Sequence, residues 1–198
     1  MIDIDFRQIA RTAAVFLALA CAARGAQATV VPFMSLEEMT REAGVIVVGS
    51  VETTESRFSA DGRMILTEVA VNVERPLKGG PRSRVLLVTP GGRVGDKTLI
   101  ASGAPVFVRG ERVVLFLQGD EGRPFGVVGW NQGKMMVSRD PRTGRDLVRG
   151  QTAGVLLLDR QGHPVEPGLQ GTGPVELGDF VKQIDALLAA PQGKAAKP

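Results

Sequence analysis

Short β-branched apolar runs separated by turn residues dominate the middle of this chain. In the clearest run, "MILTEVAVNVE" at 64–74, alternate residues from Ile65 to Val73 fall on one face, with Glu68 and Glu74 on the other. This alternation has the two-residue period of a half-buried strand. Further runs of this kind lie at 45–52, 84–90, 112–118 and 125–130. Runs at this spacing, separated by turns such as Asp-Gly, are typical of an all-β barrel or sandwich.

We therefore predict a mainly β fold, with a small closed barrel of five main strands flanked by a short N-terminal helix and a C-terminal helix. Closure of the barrel would remove the free strand edges that can pair with other chains. The barrel domain is expected at 29–160, which is long enough to bury one core. A Pro/Gly-rich connector at 161–174 precedes the C-terminal helix, and a disordered tail at 191–198 follows it.

Two segments have the pattern of a helix. The segment "SLEEMTREAG", 35–44, starts with Ser35 and Glu38 in the S-x-x-E spacing of a capping box, and Gly44 suits a left-handed C-terminal cap. Residues 175–190 carry an apolar stripe at helical spacing: Leu177, Phe180, Val181, Ile184, Leu187 and Leu188. Because the polar side of this helix carries both Asp and Lys, we expect the stripe to pack on the barrel and not on a membrane.

The N-terminus has the pattern of a secretory signal peptide. Two arginines precede an uncharged run, "TAAVFLALACAA", and Ala26-Gln27-Ala28 fits a small-x-small cleavage site. We predict that 1–28 is a cleaved signal peptide and that the mature protein is periplasmic or extracellular. The alternative is a lipoprotein anchored at Cys21, although "ALAC" has Ala18 and Leu19 in the wrong order for a lipidation site.

Cleavage after Ala28 would leave a mature chain without cysteine, and hence without a disulfide or a thiol nucleophile. The formal charge of the chain is +3, and removal of three arginines and two aspartates with 1–28 lowers it to +2. A charge this small gives no electrostatic reason to expect nucleic-acid binding. The apolar run at the N-terminus is too short to span a membrane, and no transmembrane segment is expected in the mature chain.

The stretch "GVVGWNQGKMM", 126–136, ends like a phosphate-binding loop. That motif requires a glycine five residues before its Gly-Lys pair and a hydroxyl residue after it, and this chain has Val128 and Met135 at those positions. We interpret Asn131-Gln132-Gly133 as a hairpin turn, with Gly133 supplying a positive φ.

Other candidates for chemistry are weak. His163, the only histidine, lies in "RQGHP", which has the composition of a turn, and no H-E-x-x-H, C-x-x-C or G-x-S-x-G motif occurs. The segment "GLQGTG", 168–173, lacks the spacing of a dinucleotide loop, and the pair Asp120-Glu121 reads as solvated surface. Four arginines with interleaved aspartates, at 139–149, read as a salt-bridged hairpin tip, the alternative being a site for an anionic polymer or lipid headgroup. We expect no enzyme activity, no cofactor and no metal site.

Five stretches carry a resemblance to known proteins: "SLEEMTREAGVIVVGSV", "TEVAVNVERPLKG", "VTPGG", "GERVVLFL" and "GVVGWNQGKMMV". In this order they resemble a group of exported bacterial proteins of uncharacterised function. The resemblance covers about 33–139 and implies a barrel similar to OB-fold domains of the netrin-module and metalloproteinase-inhibitor type. The tissue inhibitors of metalloproteinases bind zinc through an N-terminal cysteine. A mature chain that starts near Thr29 has none, so the resemblance does not extend to that mechanism.

These observations lead to one functional hypothesis and one alternative. The hypothesis is a non-enzymatic binding or interaction module of the cell envelope, whose partner is another envelope or secreted protein. The alternative is an accessory or inhibitor protein of a secreted protease. The candidate binding surface is Trp130, Asn131, Gln132 and Lys134, provided that the C-terminal helix does not cover Trp130.

Overall fold

The computed structural model describes residues 29–120, 122–150, 155–165 and 174–190. The predicted signal peptide, 1–28, and the predicted tail, 191–198, lie outside the described residues, as does most of the predicted connector, 161–174. The fold is mainly β, as predicted from the alternating apolar runs.

Twelve strands and two helices follow one another along the described residues. In chain order they are β1 (Thr29–Pro32), α1 (Leu36–Glu42), β2 (Val45–Phe58), β3 (Ile65–Lys78), β4 (Arg84–Pro90), β5 (Gly92–Val94), β6 (Lys97–Leu99), β7 (Arg112–Gln118), β8 (Gly126–Val127), β9 (Lys134–Arg139), β10 (Asp146–Gly150), β11 (Val155–Leu158), β12 (Val175–Glu176) and α2 (Leu177–Ala189).

One large antiparallel sheet organises the fold. Its strand order is β12-β10-β9-β7-β2-β3-β4, and β8 pairs with β7 beside this path. Two small sheets accompany it: β1 pairs with β11 in parallel, and β5 pairs with β6 as a hairpin. The long strands β2 and β3 form a hairpin whose turn contains Gly62 at φ 70°, which confirms the predicted Asp61-Gly62 turn.

The prediction of a closed five-stranded barrel is not supported, because the described sheets are not closed into a barrel. Strand β4, at one end of this path, meets the β7–β8 side of the sheet through the single residue that precedes β8. Phe125 donates its N–H to the Leu86 carbonyl (2.8 Å) and accepts from the Val88 N–H (2.9 Å). Strand β8 is only two residues long, since the chain turns away after Val127, and so no ladder forms between β8 and β4.

Both faces of β7 and of the first half of β2 are buried, which explains why these two stretches are almost continuously apolar. On one face, Ile46, Val48 and Phe116 pack with the two helices. On the other face, the alternate residues Val47 and Leu115 belong to a second core that the curved sheet encloses. The strands therefore separate two cores.

Position 49 of β2 requires glycine because the neighbouring strand β3 lies too close for a side chain. We expected Gly49 to mark a bulge or a close approach of backbones. A Cβ at this position would lie 2.4 Å from the Asn72 carbonyl oxygen, and the register of β2 with β3 shifts beside it.

Both predicted helices are present. In α1 the Ser35 hydroxyl accepts from the Glu38 N–H (3.1 Å) and the Glu38 carboxylate accepts from the Ser35 N–H (2.9 Å), which confirms the capping box. The predicted cap at Gly44 is wrong. The chain leaves the helix in extended conformation at Ala43, because the Gly44 N–H joins the sheet at the Leu117 carbonyl.

The apolar stripe of α2 packs on the sheet as predicted. Phe180, Val181 and Ile184 are buried, and the Phe180 ring meets the Phe116 ring edge-on at 6.5 Å. At about 1.5–3 kcal/mol for each fully buried side chain, this contact makes α2 an integral part of the fold.

Candidate functional site

The turn between β8 and β9, residues 128–133, is built differently from a phosphate-binding loop. Its backbone N–H groups point inward: Val128 donates to Phe116, Gln132 to Gly129, and Gly133 to Val128. A strand follows the turn, where a phosphate loop would require a helix N-terminus. The structure thus supports a turn in this stretch, but the predicted hairpin is wrong, because β8 and β9 both pair with β7 and not with each other.

Gly133 does not supply the predicted positive φ, which occurs instead at Gly129 (φ 60°) and Trp130 (φ 62°). Position 133 requires glycine for a different reason. A Cβ there would lie 2.6 Å from the Val128 carbonyl oxygen and 3.0 Å from the Phe116 carbonyl oxygen. The tight closure of the turn thus rests on Gly133, while its left-handed conformation falls on Trp130.

Trp130 is the main structural outlier of the chain. Among the described residues it is the only one other than glycine with a positive φ. A bulky side chain rarely adopts this region because its Cβ crowds the backbone. This residue is 46% exposed. The C-terminal helix therefore does not bury Trp130, which was the alternative to a binding role.

Gln132 fixes the turn to the N-terminal segment of the fold. Its Nε2 donates to the Pro32 carbonyl (2.9 Å) and to the Gly129 carbonyl (3.2 Å), and its Oε1 accepts from the Met34 N–H (2.9 Å). Because Gln132 is buried, each of these bonds replaces one that the group would otherwise make to water. The side chain therefore holds the backbone on both sides of Trp130.

Lys134 fixes the other end of the turn from within the protein. Only 1% of this residue is exposed. Its Nζ lies 2.8 Å from both carboxylate oxygens of Glu111 and 2.5 Å from the Val106 carbonyl, and stands 4.8 Å from the centre of the Phe107 ring. Burial lowers the pKa of Lys134, and the Glu111 carboxylate opposes part of that effect.

The four residues of the predicted binding surface do not lie on one surface. Trp130 is exposed, whereas Asn131, Gln132 and Lys134 are buried. Gln132 turns inward because its amide forms hydrogen bonds with backbone groups of neighbouring segments. Lys134 turns inward because its ammonium group bonds the Glu111 carboxylate and the Val106 carbonyl. The Asn131 Oδ1 is buried without a hydrogen-bond partner among the described residues. The candidate site is therefore Trp130 on a turn that Gln132 and Lys134 support from behind.

Sequence reasoning missed Glu111, the partner of Lys134. The only sequence signal was an acidic residue directly before the apolar run of β7. The two residues are 23 positions apart and meet only because β7 and β9 are neighbours in the sheet.

A charged cleft of about 350 Å³ lies beside the start of α2. At its centre Arg112 donates to Glu74 (2.8 Å) and to Asp146 (2.8 Å). The hydrogen bond from Arg112 lowers the pKa of Asp146, and the bonds to both carboxylates raise the pKa of Arg112. Each of the two carboxylates is paired with the same guanidinium, and the three side chains together carry a formal charge of 1 − 2 = −1.

The remaining sequence candidates lie in ordinary surroundings. His163 is exposed on a turn, with Nδ1 3.3 Å from an oxygen of Asp159. In the arginine-rich hairpin, Arg145 pairs with Glu176 at 2.9 Å, whereas the interleaved Asp146 pairs with Arg112; both partners lie outside the stretch 139–149. The segment 168–173 lies outside the described residues.

Within 29–120, 122–150, 155–165 and 174–190, the protein has neither a candidate metal cluster nor a helix suited to cross a membrane. No group of three or more His, Cys, Asp or Glu side chains in these ranges is arranged to hold a metal ion. Neither helix in the same ranges has both the length and the apolar character needed to cross a bilayer. Comparisons of the chain with models of known protein families and with curated proteins give no match.

Proposed function

We propose that this chain is a non-enzymatic binding module exported to the cell envelope, and that Trp130 is its main contact with a protein partner. The single observation that carries the proposal is the combination of exposure and backbone strain at Trp130. A strained residue persists only where its surroundings hold it in place, and such residues cluster at functional sites.

The choice of side chain supports the same proposal. Tryptophan combines a large apolar body with an N–H donor, and it is among the residues most enriched in interface hot spots. Gln132 and Lys134 hold the turn in one conformation before any partner arrives. Preorganisation of this kind lowers the entropy lost on binding.

The cellular location is part of the proposal and is supported by the sequence of residues 1–28. Arg7 and Arg11, the uncharged run and Ala26-Gln27-Ala28 together have the order of a cleaved signal peptide. Retention of a lipidated Cys21 would place the same module on a membrane anchor.

The resemblance to exported proteins with OB-like barrels also remains a proposal. It is supported by the five sequence stretches and by the strand neighbours β7-β2-β3-β4, which curl far enough for Phe125 to bond to β4. The similarity of fold does not identify a ligand, since proteins of one fold can have many different functions.

Capture from an envelope extract of the native host tests the proposed function. The bait is the full chain, compared with Trp130→Ala and with Leu86→Ala, which removes another half-exposed apolar side chain. We expect one stoichiometric protein to bind the wild type and Leu86→Ala but not Trp130→Ala. A secreted protease as that protein would favour the accessory or inhibitor role.

Two results would count against the proposed function. Equal capture by all three baits would show that Trp130 is not the contact. Turnover of a substrate by the purified protein would show that the module is an enzyme.

A further inference from the structure

The outer face of the small β1–β11 sheet is apolar and exposed. Val30 and Leu156 lie directly opposite each other in the register and are 56% and 38% exposed. Pro32 follows on the same face and is also exposed, and Leu158 lies opposite Pro32 and is half-buried. The residues between them on both strands are buried on the opposite side. We call Val30, Pro32, Leu156 and Leu158 the β1–β11 face.

The β1–β11 face adjoins the Trp130 turn. The Gln132 Nε2 donates both to the Pro32 carbonyl (2.9 Å) and to the Gly129 carbonyl (3.2 Å), and Gly129 directly precedes Trp130. The Met34 sulfur packs on the same turn, 2.8 Å from the point where a Cβ of Gly129 would stand. The exposed Trp130 and the β1–β11 face are therefore neighbours in space.

Backbone pairing with a strand of a partner is blocked at this small sheet. On the β1 side, Gln132 occupies the Pro32 carbonyl and the Met34 N–H, and Pro32 has no N–H of its own. On the β11 side, the segment 163–165 already pairs with the strand, since its last N–H donates to the Leu157 carbonyl (2.8 Å). A partner therefore has no continuous strand edge to extend and must contact the face through its side chains.

No side chain of the β1–β11 face carries a charge. The first charged side chains after it are both engaged: Asp159 contacts His163 at 3.3 Å, and Arg160 contacts Glu38 at 2.7 Å. A charged group of a partner would lose its water on this face without gaining a counter-charge. The face therefore selects an uncharged apolar surface.

We propose that the β1–β11 face and Trp130 together bind the uncharged side of an amphipathic helix of the partner protein. Four residues of a strand span about 13 Å, which corresponds to about nine residues of a helix. A helix of this length can lay its apolar side chains on the sheet face, as helices do on sheets within domains, and reach Trp130 with one end. The inference rests on the proposed function, because it concerns the same interface and names the kind of element that binds there.

Photo-crosslinking from the β1–β11 face tests the proposal. The full chain is produced in the native host with p-benzoylphenylalanine in place of Leu156, or in place of Leu86 on β4 as the matched control. Each bait is irradiated in the envelope extract of that host, with and without Trp130→Ala, and the crosslinked peptides are identified by mass spectrometry. A synthetic copy of the crosslinked segment is then titrated into the purified protein.

We expect position 156 to crosslink to the protein that is captured through Trp130, within a segment whose apolar residues have helical spacing. Position 86 should give no such crosslink, and Trp130→Ala should remove the crosslink from position 156. The synthetic segment should become helical on binding, as measured by circular dichroism, and should shift the Trp130 emission to shorter wavelength. Leu156→Asp should weaken its binding at least about tenfold, since a carboxylate would be buried without a partner, whereas Leu86→Asp should leave it unchanged.

Three results would overturn the proposal while leaving the proposed function intact. They are Trp130-dependent capture without a crosslink from position 156, a crosslinked segment that binds without becoming helical, and equal crosslinks from positions 156 and 86. Crosslinks from position 156 to lipid alone would identify the face as a membrane contact and would overturn the proposal as well. Capture that does not depend on Trp130 would instead contradict the proposed function, and this inference with it.

Discussion

The strain at Trp130 can be measured by comparing two substitutions that remove the same indole. Trp130→Gly and Trp130→Ala both remove the side chain, but only glycine adopts φ 62° without steric cost. The left-handed conformation costs about 1–2 kcal/mol for a residue with a Cβ. Glycine loses about 0.5–1 kcal/mol more than alanine through the entropy of the unfolded chain. At position 130 we therefore expect the glycine variant to be as stable as the alanine variant or up to about 1.5 kcal/mol more stable.

Leu86 provides the matched control, because it is also half exposed but lies in β4 without a positive φ. There the alanine variant should be more stable than the glycine variant by about 0.5–1 kcal/mol. The glycine-minus-alanine difference at position 130 should thus exceed that at position 86 by about 1–2 kcal/mol, which is the strain itself. Urea unfolding followed by circular dichroism measures all four variants. The same difference at both positions would refute the claim that Trp130 is strained.

Three further predictions concern the support of the turn and the charged cleft. Lys134→Met should destabilise the protein by about 3–5 kcal/mol because it leaves Glu111 charged and without its buried partner, and adding Glu111→Gln should restore much of the loss in urea unfolding. Gly133→Ala should cost about 1–3 kcal/mol through its 2.6 Å clash, whereas Gly178→Ala, whose Cβ meets no described atom within 4 Å, should be neutral or slightly stabilising in the same assay. Folding lowers the pKa of Asp146 from its usual 3.8, so the Asp146 carboxylate stabilises the protein above that pH. This stabilisation is lost as the pH falls toward the pKa of the folded state, and Asp146→Asn should therefore flatten the acid side of a curve of stability against pH.

Local patterns predicted those parts of the fold that depend on neighbours in sequence. The alternation in β3, the capping box at Ser35 and Glu38, and the apolar stripe of α2 each express a short periodicity or a fixed spacing. These features could be inferred because the interactions that stabilise them span only a few residues.

Other features depend on contacts between distant segments and left no local pattern. The short β8, which brings Phe125 to β4, decides whether the sheet closes. From the sequence alone, Lys134 would be assigned to the surface. It is buried because β9 lies beside β7, which brings the Lys134 ammonium to the Glu111 carboxylate. The left-handed conformation falls on Trp130, whereas Gly133 is needed because the carbonyls of Val128 and Phe116 leave no room for a Cβ at position 133. None of these contacts can be inferred from the residues adjacent to them.

The most direct test of the central claim observes Trp130 itself. The chain has one tryptophan, so biosynthetic 5-fluorotryptophan gives a single ¹⁹F resonance that can be followed even in a complex mixture. Addition of an envelope extract of the native host should shift or broaden this resonance, and addition of an equal mass of serum albumin should leave it unchanged. An unchanged resonance in an extract from which the same protein captures a partner would show that Trp130 is not at the interface.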